Sequence, residues 1–252
     1  MPAAKKEPPP WYVEAFSRAY LDVYAHRHNE TSERAEALGA LALLRHAPGD
    51  GRLLDLAAGA GRHARHLKQA GCRVTCLDLS ADLLLAASRA GLSCVRGDLR
   101  ALPFRDGAFA AIACLFSSFG YFADDRENAR VLTEAARVLR PGGRALFDLM
   151  DPRTVRQTLR ARDRIEREGT VIEIERRLTP DDRRVEKSVR LTRPGEPMRT
   201  WTESVRLFTR DEFAALALRA GLEIEATYGD FDGHPHESGR TRMLILGTDT
   251  NF

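Results

Sequence analysis

The chain has 252 residues, of which 43% are hydrophobic and 30% charged, a composition typical of a folded globular protein. The 39 lysine and arginine residues nearly balance the 36 acidic residues without any long basic block, so nucleic-acid binding gains no electrostatic support and we expect no DNA partner. The 4 cysteines lie in or beside apolar runs without Cys-x-x-Cys spacing, which favours buried thiols over disulfides or zinc ligands. Neither a membrane span nor a signal-peptide core is evident, so we expect a cytoplasmic protein without membrane contact.

The N-terminal stretch combines a charged, proline-rich start with a series of aromatic residues. Residues 1–10 read as a disordered lead-in, and the aromatic residues that follow are mostly four apart, a spacing that places them on one side of a helix. They are Trp11, Tyr12, Phe16, Tyr20 and Tyr24. This stripe either packs on the domain or forms a cover from which Tyr20 or Tyr24 reaches a ligand. We therefore divide off residues 1–30 as an N-terminal arm or lid.

The sequence RLLDLAAGAGRH at residues 52–63 joins a short apolar run to a glycine-rich turn. The apolar run predicts a buried strand, and the spacing of apolar residues after the turn predicts a helix that ends at Gly71. A strand, a glycine turn and a helix bring a ligand against backbone N–H groups at the helix N-terminus. Gly59 and Gly61, with Ala64 following, also match the dinucleotide pattern G-x-G-x-x-G/A, so a nicotinamide or flavin site remains open at this point.

An acidic residue follows each of the next two predicted strands. Asp78 comes after the strand at residues 74–77, and it lies 17 residues beyond the second turn glycine, close to where such units bind ribose hydroxyls. The alternative is an aspartate that only caps the next helix, and we favour ribose binding. Asp98 follows the strand at residues 93–96, where its carboxylate can accept from an adenine amino group while the N–H of Leu99 donates to the ring.

The remaining part of this region completes an alternation of strands and helices. A fourth strand at residues 109–116 is entirely apolar and opens into an aromatic, hydroxyl-rich loop at residues 117–122. A helix is predicted at residues 127–139, and Arg-Pro-Gly-Gly ends it before a fifth strand starts at Ala145. Five strands separated by helices predict an α/β fold with a parallel, doubly wound sheet, and we assign residues 31–150 to this core.

After the core, the pattern changes to alternating apolar and polar residues, which is typical of antiparallel strands. Three such strands are predicted, at residues 170–179, 184–192 and 198–208. We assign residues 151–208 to an inserted antiparallel sheet that serves as a lid or a dimer interface. A capping box at residues 209–212 then begins a helix. The last two strands are predicted at residues 222–228 and 243–247, so residues 209–252 complete the core sheet.

Four motifs in this order and spacing resemble those of class I S-adenosylmethionine-dependent methyltransferases. They are LDLAAGAG at residues 54–61, LDLS at 77–80, GDL at 97–99 and LRPGG at 139–143. The chain further resembles a group of small bacterial methyltransferases in the segments GRHA at 61–64, SFGYF at 118–122 and YGDFDG at 228–233. The resemblance implies a Rossmann-like, seven-stranded mixed sheet whose last strand runs antiparallel between the fifth and sixth, and S-adenosylmethionine as the cofactor.

The same resemblance implies roles for individual residues. The small residues of the turn frame the methionine end of the cofactor, Asp55 orients its ammonium group, and Phe116 flanks it at the end of the fourth strand. The family pattern often has glycine at Ala57, where a methyl group narrows the turn without closing it. The predicted cofactor-binding residues are Asp55, Ala57, Gly59, Gly61, Asp78, Leu79, Asp98, Leu99, Phe116 and Tyr24.

Methyl transfer from a sulfonium is an in-line displacement, in which the protein mainly aligns donor and nucleophile. An oxygen nucleophile usually needs a base within hydrogen-bond reach, whereas a nitrogen nucleophile must be neutral. No catalytic residue is assured, and the candidates on loops at the expected edge are Tyr121, Asp232 and His234, with His236 nearby. Tyr121 is equally consistent with a pocket wall. We expect no metal, because the two histidines have no evident third ligand.

The acceptor is inferred mostly by exclusion. The fourth strand lacks the Asn/Asp-Pro-Pro-Tyr/Phe pattern of enzymes that methylate adenine or glutamine amino groups, and no Pro-Cys nucleophile for cytosine is present. We therefore predict transfer to a nitrogen or oxygen atom of a small molecule, by a monomer or a homodimer. Three alternatives stay open: an RNA or protein methyltransferase that docks through the arginine-rich residues 153–167, an NAD(P)-binding oxidoreductase, and an S-adenosylmethionine-binding protein without catalysis.

Overall fold

The computed structural model describes residues 10–16, 20–21, 29–167, 169–237, 240 and 242–249, which form two β sheets and the helices around them. The strands are β1 (Arg52–Leu56), β2 (Arg73–Asp78), β3 (Ser93–Arg96), β4 (Phe109–Cys114), β5 (Leu139–Met150), β6 (Arg162–Arg167), β7 (Thr170–Leu178), β8 (Arg184–Thr192), β9 (Arg199–Arg206), β10 (Leu222–Tyr228) and β11 (Arg242–Asp249). The helices with described bounds are α1 (Trp11–Ala15), α2 (Glu30–Leu44), α3 (Ala64–Gln69), α4 (Ala81–Arg89), α5 (Asp125–Val138), α6 (Pro152–Thr158) and α7 (Arg210–Arg219). Within these ranges, no helix combines the length and apolar character that a membrane crossing requires.

The larger sheet has seven strands in the order β10-β11-β5-β4-β1-β2-β3. Strands β1 to β5 are parallel, whereas β11 runs antiparallel to both β5 and β10. All six residues of β4 are buried, as expected for a central strand with helices on both faces of the sheet. The prediction of a Rossmann-like mixed sheet with an antiparallel strand between the fifth and sixth is therefore confirmed.

The strand order reverses between β1 and β4, and this reversal determines where a ligand can bind. Connections from these two neighbouring strands leave to opposite sides, which opens a crevice beyond their carboxyl ends. The glycine turn follows β1 and the aromatic loop at residues 117–122 follows β4, so both sequences border this crevice. The neighbouring ends of β2 and β5 bring Asp78 and Asp148 to the same edge of the sheet.

The inserted sheet has four antiparallel strands, in the order β6-β7-β8-β9, whereas the sequence predicted three. The additional strand β6 has the sequence RDRIER, in which Ile165 is the one apolar residue and lies opposite Ile172 of β7. Charged residues are typical of an exposed edge strand, because they discourage pairing with other chains. Much of the arginine-rich stretch at residues 153–167, considered above as a macromolecule-docking face, forms this edge strand and helix α6.

Strand β5 begins earlier than the sequence predicted. It starts at Leu139, directly after α5, and the Arg-Pro-Gly-Gly sequence that was expected to precede the strand lies inside it. Leu139 pairs with Phe109 and Arg144 pairs with Ala111, so the extra residues of β5 form an irregularity opposite β4. Gly142 within this segment has φ of 70°, a backbone conformation that glycine adopts readily. The chain therefore bends within a continuous ladder.

Two predicted helix caps are confirmed, whereas α1 ends at Ala15, so Phe16 lies outside the single helix predicted for the aromatic stripe. Ser80 caps α4 by accepting from the N–H of Leu83, and Thr209 with Glu212 forms the predicted capping box of α7. The segment YGDFDG at residues 228–233 follows β10 and packs against α2. A Cβ atom on Gly39 of α2 would lie 2.4 Å from the carbonyl oxygen of Phe231, so only glycine permits this approach.

We expect Gly39→Ala to lower the free energy of unfolding by up to about 2 kcal/mol, because overpacking costs about 1–3 kcal/mol and the gain in helix propensity offsets about 1 kcal/mol of it. In an isolated helix the same change is stabilising by about 1 kcal/mol. Urea unfolding monitored by circular dichroism measures the difference. Arg34→Ala, on the exposed side of the same helix, is the control and should change the value by less than about 0.5 kcal/mol. A stabilised Gly39→Ala variant would contradict this packing.

Candidate active site

A first cavity, cavity A, lies along the carboxyl ends of β1 to β4. Most of the predicted cofactor-binding residues line it, and aromatic residues of the N-terminal stretch cover it. The predicted residues on its wall are Ala57, Gly59, Asp78, Leu79, Asp98, Leu99 and Phe116, and the aromatic residues include Tyr12, Phe16 and Tyr20. Tyr24, which was also predicted to reach the cofactor, lies outside the described residues.

The turn after β1 is held by Asp78. Its Oδ2 accepts from the N–H of Gly59 at 2.8 Å, and its Oδ1 accepts from the N–H of Ser80 at 2.8 Å. Burial raises the pKa of Asp78, and these backbone donors partly oppose the shift. Each carboxylate oxygen has a second acceptor site, so the side chain retains capacity for hydroxyl donors.

Ala57 and Gly61 are the two positions of the turn where a small residue matters for backbone conformation or packing. Ala57 has φ of 61°, in the left-handed region that glycine adopts more readily, which accounts for glycine in the family pattern. Gly61 does not line the cavities of the site. A Cβ atom there would lie 2.3 Å from Leu92, so this glycine permits close packing of the turn on its neighbours, and its N–H donates to the carbonyl of Ala58.

Asp98 lies in cavity A and forms a salt bridge with Arg100 that the sequence did not indicate. Arg100 donates from Nε to its Oδ1 at 3.0 Å and from Nη2 to its Oδ2 at 2.6 Å. This bidentate contact is the main cause of the lowered pKa of Asp98. The guanidinium also pairs with Glu127 and lies 4.5 Å from the centroid of the Phe122 ring. Arg100 therefore connects the base of cavity A to the aromatic loop.

A second cavity, cavity B, adjoins the first at the glycine turn. Asp55, 3% exposed, lines it, and burial with a smaller contribution from Asp78 raises the pKa of Asp55 to about 7. Arg62 lines the same cavity, with its guanidinium carbon 3.6 Å from the centroid of the Phe116 ring. Its buried Nη2 atom has no hydrogen-bond partner among the described residues. Arg62 belongs to the GRHA segment that carries the family resemblance, but the sequence did not indicate a role for it.

Phe116 separates the cavities and is held by a group of charged residues. Its N–H donates to Asp148 Oδ2 at 2.7 Å, and Arg242 Nη1 donates to the same oxygen at 2.8 Å. The other side of the Arg242 guanidinium donates to Glu36 at 2.9 Å, and Glu36 lies 2.8 Å from His63 Nε2. We call Glu36, Arg62, Asp148 and Arg242 the charge network.

A third cavity, cavity C, lies between the core and the inserted sheet and has a volume of about 660 Å³. It shares Phe116 and Tyr20 with the other two cavities, so the three meet at these residues. Pairs of charged side chains form part of its wall, beside a larger share of aromatic and aliphatic surface. They are Lys187 with Glu203, Arg176 with Asp163, and Arg242 with Asp148. Cavity C therefore suits a molecule that presents both polar groups and apolar surface.

Of the predicted catalytic candidates, Tyr121 lies at the cavities. It lines both cavity A and cavity C, and its ring stacks on Phe16 with centroids 5.4 Å apart. Burial raises its pKa well above the ordinary value, so the hydroxyl remains protonated at neutral pH. This residue can form a wall and exchange hydrogen bonds there, but it is poorly suited to act as a base.

Asp232 and His234 lie elsewhere, in an exposed turn organised by Asp230. The Oδ1 atom of Asp230 accepts from the N–H groups of both residues, at 3.1 and 3.2 Å, and its carboxylate also pairs with the His234 ring and with Arg240. Neither Asp232 nor His234 lines cavity A, B or C. Potential metal ligands of these three residues lie within 4.8 Å of one another, a proximity that the turn itself explains.

We expect Asp55 to make the stability of the ligand-free protein fall as the pH rises from about 4 to about 7. The unfolded chain ionises this group near 3.8, whereas burial holds the folded pKa at about 7, so the stabilising proton is lost across this window. Asp55→Asn should remove this dependence and gain at most about 4 kcal/mol over the wild type at alkaline pH. Urea unfolding at several pH values measures it, with the surface variant Asp82→Asn as control. Parallel curves for wild type and Asp55→Asn would contradict the expectation.

Comparison with known proteins places this geometry in a family. A family model described as a methyltransferase domain matches residues 53–143, which include β1 to β4. A dTDP-3-amino-3,6-dideoxy-alpha-D-glucopyranose N,N-dimethyltransferase of Streptomyces fradiae is 32% identical over 248 residues, covering 92% of this chain and 95% of that protein. A cypemycin N-terminal methyltransferase of a Streptomyces species is 30% identical over 80% of this chain and 84% of its own length.

Solved structures agree over nearly the whole chain. The CcbJ methyltransferase from Streptomyces caelestis matches with a TM-score of 0.79 at 18% identity, covering 94% of this chain and 98% of that one. DesVI from Streptomyces venezuelae matches with a TM-score of 0.67 at 26% identity, covering 90% and 95%. The chain thus belongs to the class I S-adenosylmethionine-dependent methyltransferases, with S-adenosylmethionine as its cofactor.

Proposed function

We propose that this protein methylates an amino group of a hydrophilic small molecule, namely an amino sugar carried on a nucleotide. The observation that carries the proposal is the group of charged pairs in the wall of cavity C, the cavity that meets the two cavities of the glycine turn at Phe116 and Tyr20. The relatives from Streptomyces fradiae and Streptomyces venezuelae are named as N,N-dimethyltransferases of dTDP-linked amino sugars. A third relative is named as a cypemycin N-terminal methyltransferase, and an N-terminus is also an amine. These names favour nitrogen over oxygen, which the sequence left undecided.

The residues of cavity B fit the amino-acid end of the cofactor. A buried acid and a buried guanidinium both face this cavity, and each is costly without a partner of opposite charge. We assign the ammonium group to Asp55 and the carboxylate to the Nη2 atom of Arg62, which lies 3.9 Å from Glu36 Oε2 and has no hydrogen-bond partner among the described residues. This arrangement matches a zwitterion and offers nothing comparable to a diphosphate, which argues against a dinucleotide.

The residues of cavity A fit the nucleoside. We assign the ribose hydroxyls to Asp78, whose carboxylate is already oriented by two backbone N–H groups. The adenine ring then lies beside Asp98 and Leu99, covered by Tyr12 and Phe16. Because Arg100 already holds both oxygens of Asp98, that carboxylate is fixed in place and binds the amino group with its remaining acceptor sites.

Once bound, S-adenosylmethionine supplies an activated methyl group, so the protein contributes alignment and a dry site. Phe116, Tyr20 and Tyr121 form the common wall between cofactor and acceptor cavities. Their rings exclude water, and they confine the acceptor nitrogen to the line of attack. Alignment of this kind can contribute roughly 7–11 kcal/mol to lowering the barrier.

We expect Asp78→Ala to weaken S-adenosylmethionine binding about 10- to 100-fold, because hydrogen bonds to a charged group are worth about 1.5–3 kcal/mol. Isothermal titration calorimetry measures the dissociation constant. Asp82→Ala, in the first turn of α4 and exposed, is the matched control and should bind like the wild type. Thermal melting of the ligand-free variant verifies folding. Unchanged affinity in folded Asp78→Ala would remove the ribose assignment.

The acceptor is tested with three compounds offered to the purified enzyme and S-adenosylmethionine. We expect dTDP-3-amino-3,6-dideoxy-α-D-glucopyranose to gain methyl groups on nitrogen, whereas the matched nucleotide with a hydroxyl group at the same carbon remains unmodified. A short peptide with a free N-terminus is the third compound. Mass spectrometry identifies the product. Methylation of the hydroxyl compound or of the peptide, with the amino sugar untouched, would overturn the proposed substrate class.

A further inference from the structure

Asp148 is a buried acid to which neither the sequence motifs nor the cofactor assignment gives a role. It lies near the carboxyl end of β5, is 1% exposed, and lines cavity C together with Phe116 and Tyr121. The corresponding acids at the ends of β1 and β2, Asp55 and Asp78, border the cofactor cavities instead. Asp148 is therefore the strand-end acid on the acceptor side of Phe116.

The two carboxylate oxygens of Asp148 have different surroundings. Oδ2 accepts from the N–H of Phe116 at 2.7 Å and from Arg242 at 2.8 Å. Oδ1 is equally buried but has no hydrogen-bond partner among the residues that the structure describes. Buried carboxylate oxygens without a donor are rare, because such an oxygen loses its hydrogen bonds to water and gains none from the protein. One oxygen thus anchors the side chain, and the other lacks a donor.

The charged groups around Asp148 are engaged with one another. Arg242 of β11 is shared with Glu36 of α2, and the Arg62 guanidinium lies against the Phe116 ring. Across cavity C, the wall from the inserted sheet contributes further charges, and these also form pairs. They are Lys187 with Glu203, and Arg160 and Arg176 with Asp163. A donor for Oδ1 is therefore most readily supplied by the molecule that enters cavity C.

We propose that Oδ1 of Asp148 accepts a hydrogen bond from the amino group of the acceptor and takes its proton before methyl transfer. This inference rests on the function proposed above, since it requires an amine. An alkyl amine arrives largely as ammonium at neutral pH and has no lone pair to donate. When its N–H bond breaks, the nitrogen keeps the electron pair and an O–H bond forms on Asp148. The carboxyl group returns the proton to solvent after the product leaves.

The surroundings of Asp148 support this exchange. Burial raises its pKa, and Arg242, the N–H of Phe116 and Arg62 only partly oppose that shift, while Glu36 adds to it. A carboxylate with a raised pKa holds a proton better than an exposed one, which suits it to act as a base near neutral pH. The anchored Oδ2 keeps the side chain in one orientation while Oδ1 binds the proton.

The test compares Asp148→Asn with Arg242→Met across a range of pH, using dTDP-3-amino-3,6-dideoxy-α-D-glucopyranose as the acceptor. Without the carboxylate, only acceptor that arrives neutral can react. We expect kcat/KM of Asp148→Asn to fall about a hundredfold near pH 7 and to rise tenfold per pH unit up to the pKa of the amine. Arg242→Met removes the ion pair but keeps the base. Because Arg242 lowers the pKa of Asp148, its loss shifts the acidic limb of the profile to higher pH, but kcat/KM still levels off below the pKa of the amine, unlike that of Asp148→Asn.

A binding measurement on the wild type and Asp148→Asn tests the same proton transfer without turnover. The acceptor is titrated calorimetrically into the complex with S-adenosylhomocysteine, in two buffers of different ionisation enthalpy. If Asp148 holds the proton of the amine, the wild type releases essentially none to the buffer, whereas Asp148→Asn releases close to one. Affinity for S-adenosylhomocysteine within about threefold of the wild type shows that the variant is folded.

Three results would overturn the inference. Turnover of the amino sugar by Asp148→Asn with a wild-type pH profile shows that another group takes the proton, and the proposed function stands. Equal losses and equal profiles in Asp148→Asn and Arg242→Met show that Asp148 only holds Arg242 and Phe116. Release of one proton by the wild-type complex also excludes Asp148 as the base. If the wild type methylates no amine at all, the proposed function fails and this inference fails with it.

Discussion

The contact between the Asp148 carboxylate and the N–H of Phe116 fixes the wall on which the three cavities depend. Phe116 and Ser117 have φ values of 61° and 56°, in the left-handed region that such residues rarely adopt. Each costs on the order of 1–3 kcal/mol. A hydrogen bond to a charged acceptor returns about 1.5–3 kcal/mol, and the N–H of Ser117 adds a bond to the carbonyl of Asp148. The strained turn is therefore held mainly by one strand-end acid.

The charge network extends this control to distant parts of the chain. Arg62 reaches over the Phe116 ring from the glycine turn, and Arg242 joins Asp148 to Glu36 from the first residue of β11. The turn after β1, the turn after β4, helix α2 and the antiparallel strand are thereby connected at one point. Because these charges are buried or half-buried, removal of one leaves its partners uncompensated. We infer that cofactor side and acceptor side cannot shift independently at Phe116.

Patterns that are local in sequence were predicted correctly. The alternation of strands and helices, the cap at Ser80 and the capping box at Thr209 each depend on residues within a few positions, and the structure confirms them. The edge strand β6 was missed because RDRIER has almost no alternation of apolar and polar residues. Arg62 was visible in a motif, but its contact with Phe116 depends on the fold. Glu36 and Arg242, 206 residues apart, left no sequence signal at all.

The catalytic candidates Asp232 and His234 lie outside the three cavities for a related reason. Asp232 and His234 were grouped with the site because a loop after β10 was expected to reach its edge, whereas Asp230 ties that loop into a turn beside α2. The acid that lines cavity C, Asp148, lies in the apolar sequence of β5, where nothing distinguishes it from a structural residue. Asp55, Asp78 and Asp98 stood out in the sequence because each belongs to one of the motifs LDLAAGAG, LDLS and GDL.

The connection of the inserted sheet separates the far wall of cavity C from the walls of cavities A and B. The insertion leaves the core immediately after β5, at the strand that carries Asp148, and returns to it at α7. Its strands β6 to β9 contribute the far wall of cavity C, whereas cavities A and B are built by the core and the N-terminal aromatic residues. Exchanging side chains on β7, β8 or β9 therefore alters the acceptor wall without touching the glycine turn or Asp78. Under the proposed function, we infer that the core positions the reacting atoms at Phe116, whereas the insertion contributes to the choice of acceptor.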